Sequence, residues 1–138
     1  MGSAAWESYR QTLVAPPSLW DAAKSDDVAE LGRLLDAGAA IDAKDARGYS
    51  PLMLATYAGS ARAFDYLLGR GADPNSTDAA GNSVLMGAAF KGHIDLARKL
   101  IAAGADPKAQ NGAGMDALGF AKTFGRADVA ALLEGGSS

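Results

Sequence analysis

The chain has 138 residues, 49% of them hydrophobic and 21% charged, which is the composition of an ordinary single globular domain. A net charge of -3 argues against a nucleic-acid partner, for which a basic stripe is expected. With no Cys, a disulfide framework and a thiolate metal site are both excluded, and no run approaches the roughly 20 apolar residues needed to span a bilayer.

The opening Met1-Gly2-Ser3-Ala4-Ala5-Trp6 lacks the charged and long apolar regions of a signal peptide. It also fails as a myristoylation signal, because Trp6 stands where Ser or Thr is required. A periplasmic protein is expected if a native export signal preceded this start, and a cytoplasmic one otherwise. Trp6, Tyr9, Leu13 and Val14 share one face of a short helix, expected over residues 5–14 and ended by Pro16 and Pro17. That helix is expected to act as a lid over the first helices after Pro17.

From residue 45 onward one pattern is written twice at a spacing of 33 residues, DARGYSPLMLATYAGSARAFDYLLGRGADPNST and then DAAGNSVLMGAAFKGHIDLARKLIAAGADPKAQ. The shared skeleton is a Gly-containing turn, a short helix, a Gly break, a second helix and Gly-Ala-Asp-Pro. Extending the register, Leu52 and Leu85 anticipate Leu19 and Leu118, and Ala55 and Ala88 anticipate Ala22 and Ala121. Leu67 and Leu100 likewise recur as Leu34 and Leu133. The register divides the chain into four repeats, over residues 18–44, 45–77, 78–110 and 111–134, with 135–138 as a tail.

In the first repeat, helices are expected at about 19–25 and 28–36, with Asp26 in the left-handed position that Gly59, Gly92 and Gly125 occupy later. Gly32 inside its second helix makes this the looser repeat. In the second and third, Asp45 and Asp78 open turns closed by Gly48 and Gly81, and Ser50 and Ser83 cap the first helices. Gly38, Gly71 and Gly104 end second helices. In the fourth, Glu134 replaces the apolar residue seen at Leu35, Leu68 and Ile101, and Lys122 occupies the column of Thr56 and Ala89, so the stack ends in polar groups.

Ser50-Pro51-Leu52-Met53-Leu54-Ala55, its looser copy Ser83-Val84-Leu85-Met86-Gly87-Ala88, and the period itself resemble the ankyrin repeat. The resemblance implies an all-α solenoid of stacked helix-turn-helix units with projecting β-turns, here with an extra N-terminal helix. The stretches around Tyr57 and around Phe90-Lys91-Gly92-His93 are similar to small bacterial ankyrin proteins, some periplasmic and linked to catalases in protection from peroxide.

Enzymatic chemistry finds no constellation to rest on. His93 is the sole His and sits at a helix start, and Ser50 and Ser83 are caps rather than nucleophiles. Asp73-Pro74-Asn75-Ser76-Thr77 begins like a calcium loop but has Asp78 where that loop needs Gly and Val84 where it needs Glu. Gly112 and Gly114 lack the third Gly of a nucleotide fingerprint. No cofactor or metal is expected.

The expected function is therefore a non-catalytic, monomeric module that binds another protein. The resemblance places the contact surface on the concave face: Arg47, Tyr49, Asn82 and Met115 from the turns, with Met53, Tyr57, Met86, Phe90, Lys91, Thr123 and Phe124 from the first helices. Tyr57 and Phe90, one period apart, are expected side by side and at least partly exposed. Trp20, in the column of Met53 and Met86, is expected to pack beneath the N-terminal helix. An inhibitor or immunity protein plugging a partner enzyme is the alternative, and an enzyme or small-ligand carrier the remote one.

Overall fold

The first helix of each pair begins where a short side chain can take up a free backbone N–H. In the structure, a computed structural model described over residues 18–135, these starts organise eight α-helices into four antiparallel pairs. They are α1 (Leu19–Lys24) with α2 (Val28–Asp36), α3 (Pro51–Ala58) with α4 (Ala61–Gly69), α5 (Val84–Lys91) with α6 (Ile94–Ala102), and α7 (Ala117–Thr123) with α8 (Ala127–Gly135). The only strand-like feature among the described residues is one isolated antiparallel bridge between Thr77 and Ser83.

Ser50 Oγ accepts from the Met53 N–H and Ser83 Oγ from the Met86 N–H, both at 3.2 Å, while Asp116 Oδ1 accepts from the Gly119 N–H at 2.8 Å. These bonds satisfy donors that have no partner inside the helix. Pro51 at the first helical position of α3 costs nothing there, since its missing N–H would have been free. Asp27 caps α2 in the same way, but α4 and α6 are started differently. Ser60 makes no side-chain cap to α4, and its hydroxyl turns back to the Lys24 carbonyl at 2.9 Å. The Ala63 N–H donates instead to Asp26 Oδ1 of the preceding pair at 2.7 Å, with Asp26 itself at φ 60°.

The pairs stack with first helix on first helix, α1 against α3, α3 against α5 and α5 against α7, while α2 meets α4 and α6 meets α8. The core is the Leu and Ala columns: Leu52, Leu67, Leu85 and Leu100 are fully buried, with Phe64 beside them and Ala22, Ala55, Ala88 and Ala121 where helices approach closely. Leu34 departs from its column and is only partly buried, as is Leu118. In α2 only Leu31 is fully buried, so the first pair is the thinner one. At the other end Lys122 and Glu134 face solvent 3.7 Å apart, closing the apolar columns with charge.

Between the pairs, the turns project from one edge. Asp45 Oδ1 accepts from the N–H groups of Arg47 and Tyr49, and Asp78 Oδ1 repeats this with Ala80 and Asn82, each at 2.9 Å. Asn111 does the same for Ala113 and Met115. Gly48, at φ 86°, is required twice over: its backbone is left-handed, and a Cβ there would lie 2.7 Å from the Ala79 nitrogen of the next turn. Neighbouring turns thus touch backbone to backbone.

The expected helix over 5–14 lies outside the described residues. Trp20 is tied down locally, its indole N–H donating to the Ala43 carbonyl at 2.8 Å.

Candidate functional site

Between the turns and the first helices lies a groove of about 460 Å³, within the roughly 300–1,000 Å³ range of ligand-sized clefts. Turn residues Arg47, Tyr49 and Asn82 form one bank. Leu54 and Tyr57 of α3, Met86, Gly87, Phe90 and Lys91 of α5, and Phe120 of α7 supply the rest.

Gly87 determines its form. Leu54, Gly87 and Phe120 occupy one column at the 33-residue spacing, so the middle repeat drops the side chain its neighbours carry. The Tyr57 ring takes that space: a Cβ at Gly87 would lie 2.6 Å from Tyr57 Cε1. Tyr57 also meets Tyr49 edge-on, with centroids 5.6 Å apart. Half-enclosed in this way, its phenol is pushed up from 10.0 to about 12, chiefly by burial, then by the Asp78 carboxylate and by Tyr49.

Tyr57 and Phe90 both line the groove, but their rings are engaged elsewhere rather than with each other. Phe90, 37% exposed, packs edge-on against Phe124 at 4.6 Å, and Phe124, 44% exposed, stacks on Phe120 at 6.2 Å. The aromatic surface is therefore two clusters, Tyr49 with Tyr57 and Phe90 with Phe120 and Phe124. Exposed aromatic patches of this kind mark interaction sites more often than chance.

Two of the expected contact residues are core. Met53 is fully buried and Met86 is 1% exposed. The Met86 thioether curls back to accept the Ser83 N–H at 3.3 Å, which spends the side chain on its own helix start. Met115 and Thr123 do not line the groove. Met115 lies against α7, where a Cβ at Gly119 would come 2.9 Å from its Cγ, and Thr123 is exposed beyond Phe120. Leu54, Gly87 and Phe120 escape sequence reasoning, although their common column was available as a signal.

The rim is cationic. The Arg47 guanidinium carbon sits 4.7 Å from the Tyr49 centroid, and Lys91 Nζ 5.9 Å from that of Phe90. Asn82 is occupied at both ends, donating to Asp78 Oδ2 at 3.1 Å and accepting from Asn111 Nδ2 at 2.8 Å. His93 lies away from the groove, against Gly59, with its imidazole held below its ordinary pKa by burial and by Lys91 and Arg126. None of the described helices is long and apolar enough to cross a membrane.

A family model described as ankyrin repeats, in three copies, matches residues 19–111. No curated protein matches the chain.

Proposed function

We propose, from the premise that this chain belongs to the ankyrin-repeat family, that its aromatic groove is the docking surface for a partner protein. Ankyrin repeats generally mediate protein-protein interaction and are typically non-catalytic. The observation that carries the placement is Phe90 with Phe124: two large rings exposed beside a preformed cleft on an otherwise well-filled stack. Tyr49, Tyr57 and Phe120 extend the apolar centre, and Arg47, Asn82 and Lys91 surround it with polar groups, the usual anatomy of an interface. Replacing Tyr57 and Phe90 together by Ala should weaken partner binding by about 2 kcal/mol or more, the scale of aromatic hot spots.

The test is affinity capture from the source organism followed by calorimetry with the identified partner. The Tyr57→Ala/Phe90→Ala protein is compared with Arg62→Ala/Asp95→Ala on the second helices, where both residues are exposed. A silent aromatic pair beside a disruptive control pair would move the site to the convex side. The projecting row of turns favours a second reading, in which Arg47 and Tyr49 enter the cleft of a partner enzyme and inhibit it. Assaying the captured partner's activity with and without this chain separates the two.

A further inference from the structure

The unengaged polar groups around the groove share one chemical character. Lys91 pairs with no carboxylate among the described residues, its ammonium lying over Phe90. Arg47 is largely exposed and reaches Asp45 only at 3.9 Å. The Tyr49 and Tyr57 hydroxyls make no hydrogen bond among the described residues, and neither is a sealed, unsatisfied atom, so both open to solvent.

The nearby carboxylates, by contrast, are turned mainly to their own turns, with Asp45 Oδ2 left to Arg47 at 3.9 Å. Asp78 takes the N–H groups of Ala80 and Asn82 and the Asn82 amide, and Asp45 takes those of Arg47 and Tyr49. The free rim consists of two cations and two O–H donors around an apolar centre, on a chain whose net charge is -3. Asp45 and Asp78 balance those cations in total charge, but they are turned to their own turns, and what faces the groove unengaged is donor and cation.

We propose that the groove selects a partner segment in which a carboxylate stands beside a large apolar or aromatic side chain. This rests on the docking reading above and adds the partner's chemistry to it. The apolar side chain packs against Tyr57, Phe90 and Phe120, with the Tyr57 ring laid over Gly87 as part of the wall. The carboxylate then meets Lys91 and Arg47, accepting from donors that have no closer carboxylate than 3.9 Å among the described residues. A basic segment of the same apolar content is repelled, because like charge at an interface is costly.

The probe is a random peptide library displayed on phage, selected on the wild-type protein and on Arg47→Glu/Lys91→Glu. Both altered side chains are exposed, so the fold is preserved, as circular dichroism checks. Wild type should enrich peptides with Asp, Glu or a free C-terminal carboxylate adjacent to a large apolar residue. The charge-reversed protein should bind those peptides about tenfold or more weakly and enrich Lys or Arg in their place. Binding to wild type should also weaken as salt is raised.

Peptides without acidic enrichment, or acidic peptides whose affinity is untouched by the charge reversal, would overturn this inference. If such peptides still lose affinity on Tyr57→Ala/Phe90→Ala, the docking reading survives. Selected peptides that bind that aromatic variant undiminished would overturn both. A dimer of wild type that the charge reversal dissociates would assign the groove to a second copy of the chain and overturn the inference as well.

Discussion

Gly48→Ala against Gly71→Ala isolates the contact between successive turns, because both positions are left-handed, at φ 86° and 95°, and flank the same helix pair. At Gly71 an added Cβ meets nothing within 4 Å, so the substitution carries only the left-handed penalty of about 1–2 kcal/mol. At Gly48 the same Cβ lies 2.7 Å from the Ala79 nitrogen and 3.3 Å from the Asp78 carbonyl carbon. Backbone cannot rotate aside as a side chain can, so the two turns must part, adding about 1–3 kcal/mol of overpacking cost.

Gly81→Ala falls between them, its Cβ 3.2 Å from the Gly112 nitrogen. Urea denaturation followed by far-ultraviolet circular dichroism should therefore rank the midpoints Gly71→Ala, Gly81→Ala, Gly48→Ala from highest to lowest. Equal midpoints for Gly48→Ala and Gly71→Ala would refute the claim that adjacent turns bear on each other.

The core and the groove yield further expectations. Leu67→Ala and Leu100→Ala, both fully buried in the middle of the stack, should each cost about 2–5 kcal/mol in denaturant, with Leu133→Ala, 8% exposed in the last helix, costing less. Tyr57 holds its proton more tightly folded than unfolded, so its contribution to stability is complete below pH 10 and lost as pH rises towards about 12. Tyr57→Phe should accordingly flatten the alkaline loss of stability in that window, measured by denaturant midpoints across pH. Gly87→Ala should push the Tyr57 ring outward, and ultraviolet titration should then find the ionisation of Tyr57 moved down from about 12.

The fold was legible in the sequence because its determinants are local. Asp45, Gly48 and Ser50 each act within a few residues of themselves, and a turn or cap chosen that way repeats wherever the residues repeat. The candidate site was legible only in part, because it depends on which way a short helix is rotated against its neighbours. The columns of Tyr57 and of Met53 are four residues apart on α3, yet one opens to the groove and the other is sealed by packing that no single repeat specifies. Met86 reaches the groove wall although almost fully buried, its thioether folded onto Ser83. Gly87 looked like a blemish in the repeat motif, and its role emerged only with the Tyr57 ring lying on it.

The bonds that tie one helix pair to the next reach a nearly constant distance along the chain. Asp73 N–H to Asp42, Asp106 N–H to Asn75, Lys99 to Asp65 and Asn111 to Asn82 span separations of 31, 31, 34 and 29 residues. Donor and acceptor therefore always sit in adjoining units, and no bond of this set skips one. Duplicating residues 78–110 in place would keep the register, with Lys108 and Arg98 then standing where the copies of Asp106 and Lys99 need acceptors, whereas an insertion that is not a whole period would misalign every bond. A unit added with acceptors restored at those two positions would lengthen the stack and extend the groove by one more pair of turn and helix residues, open to being rewritten separately from its neighbours.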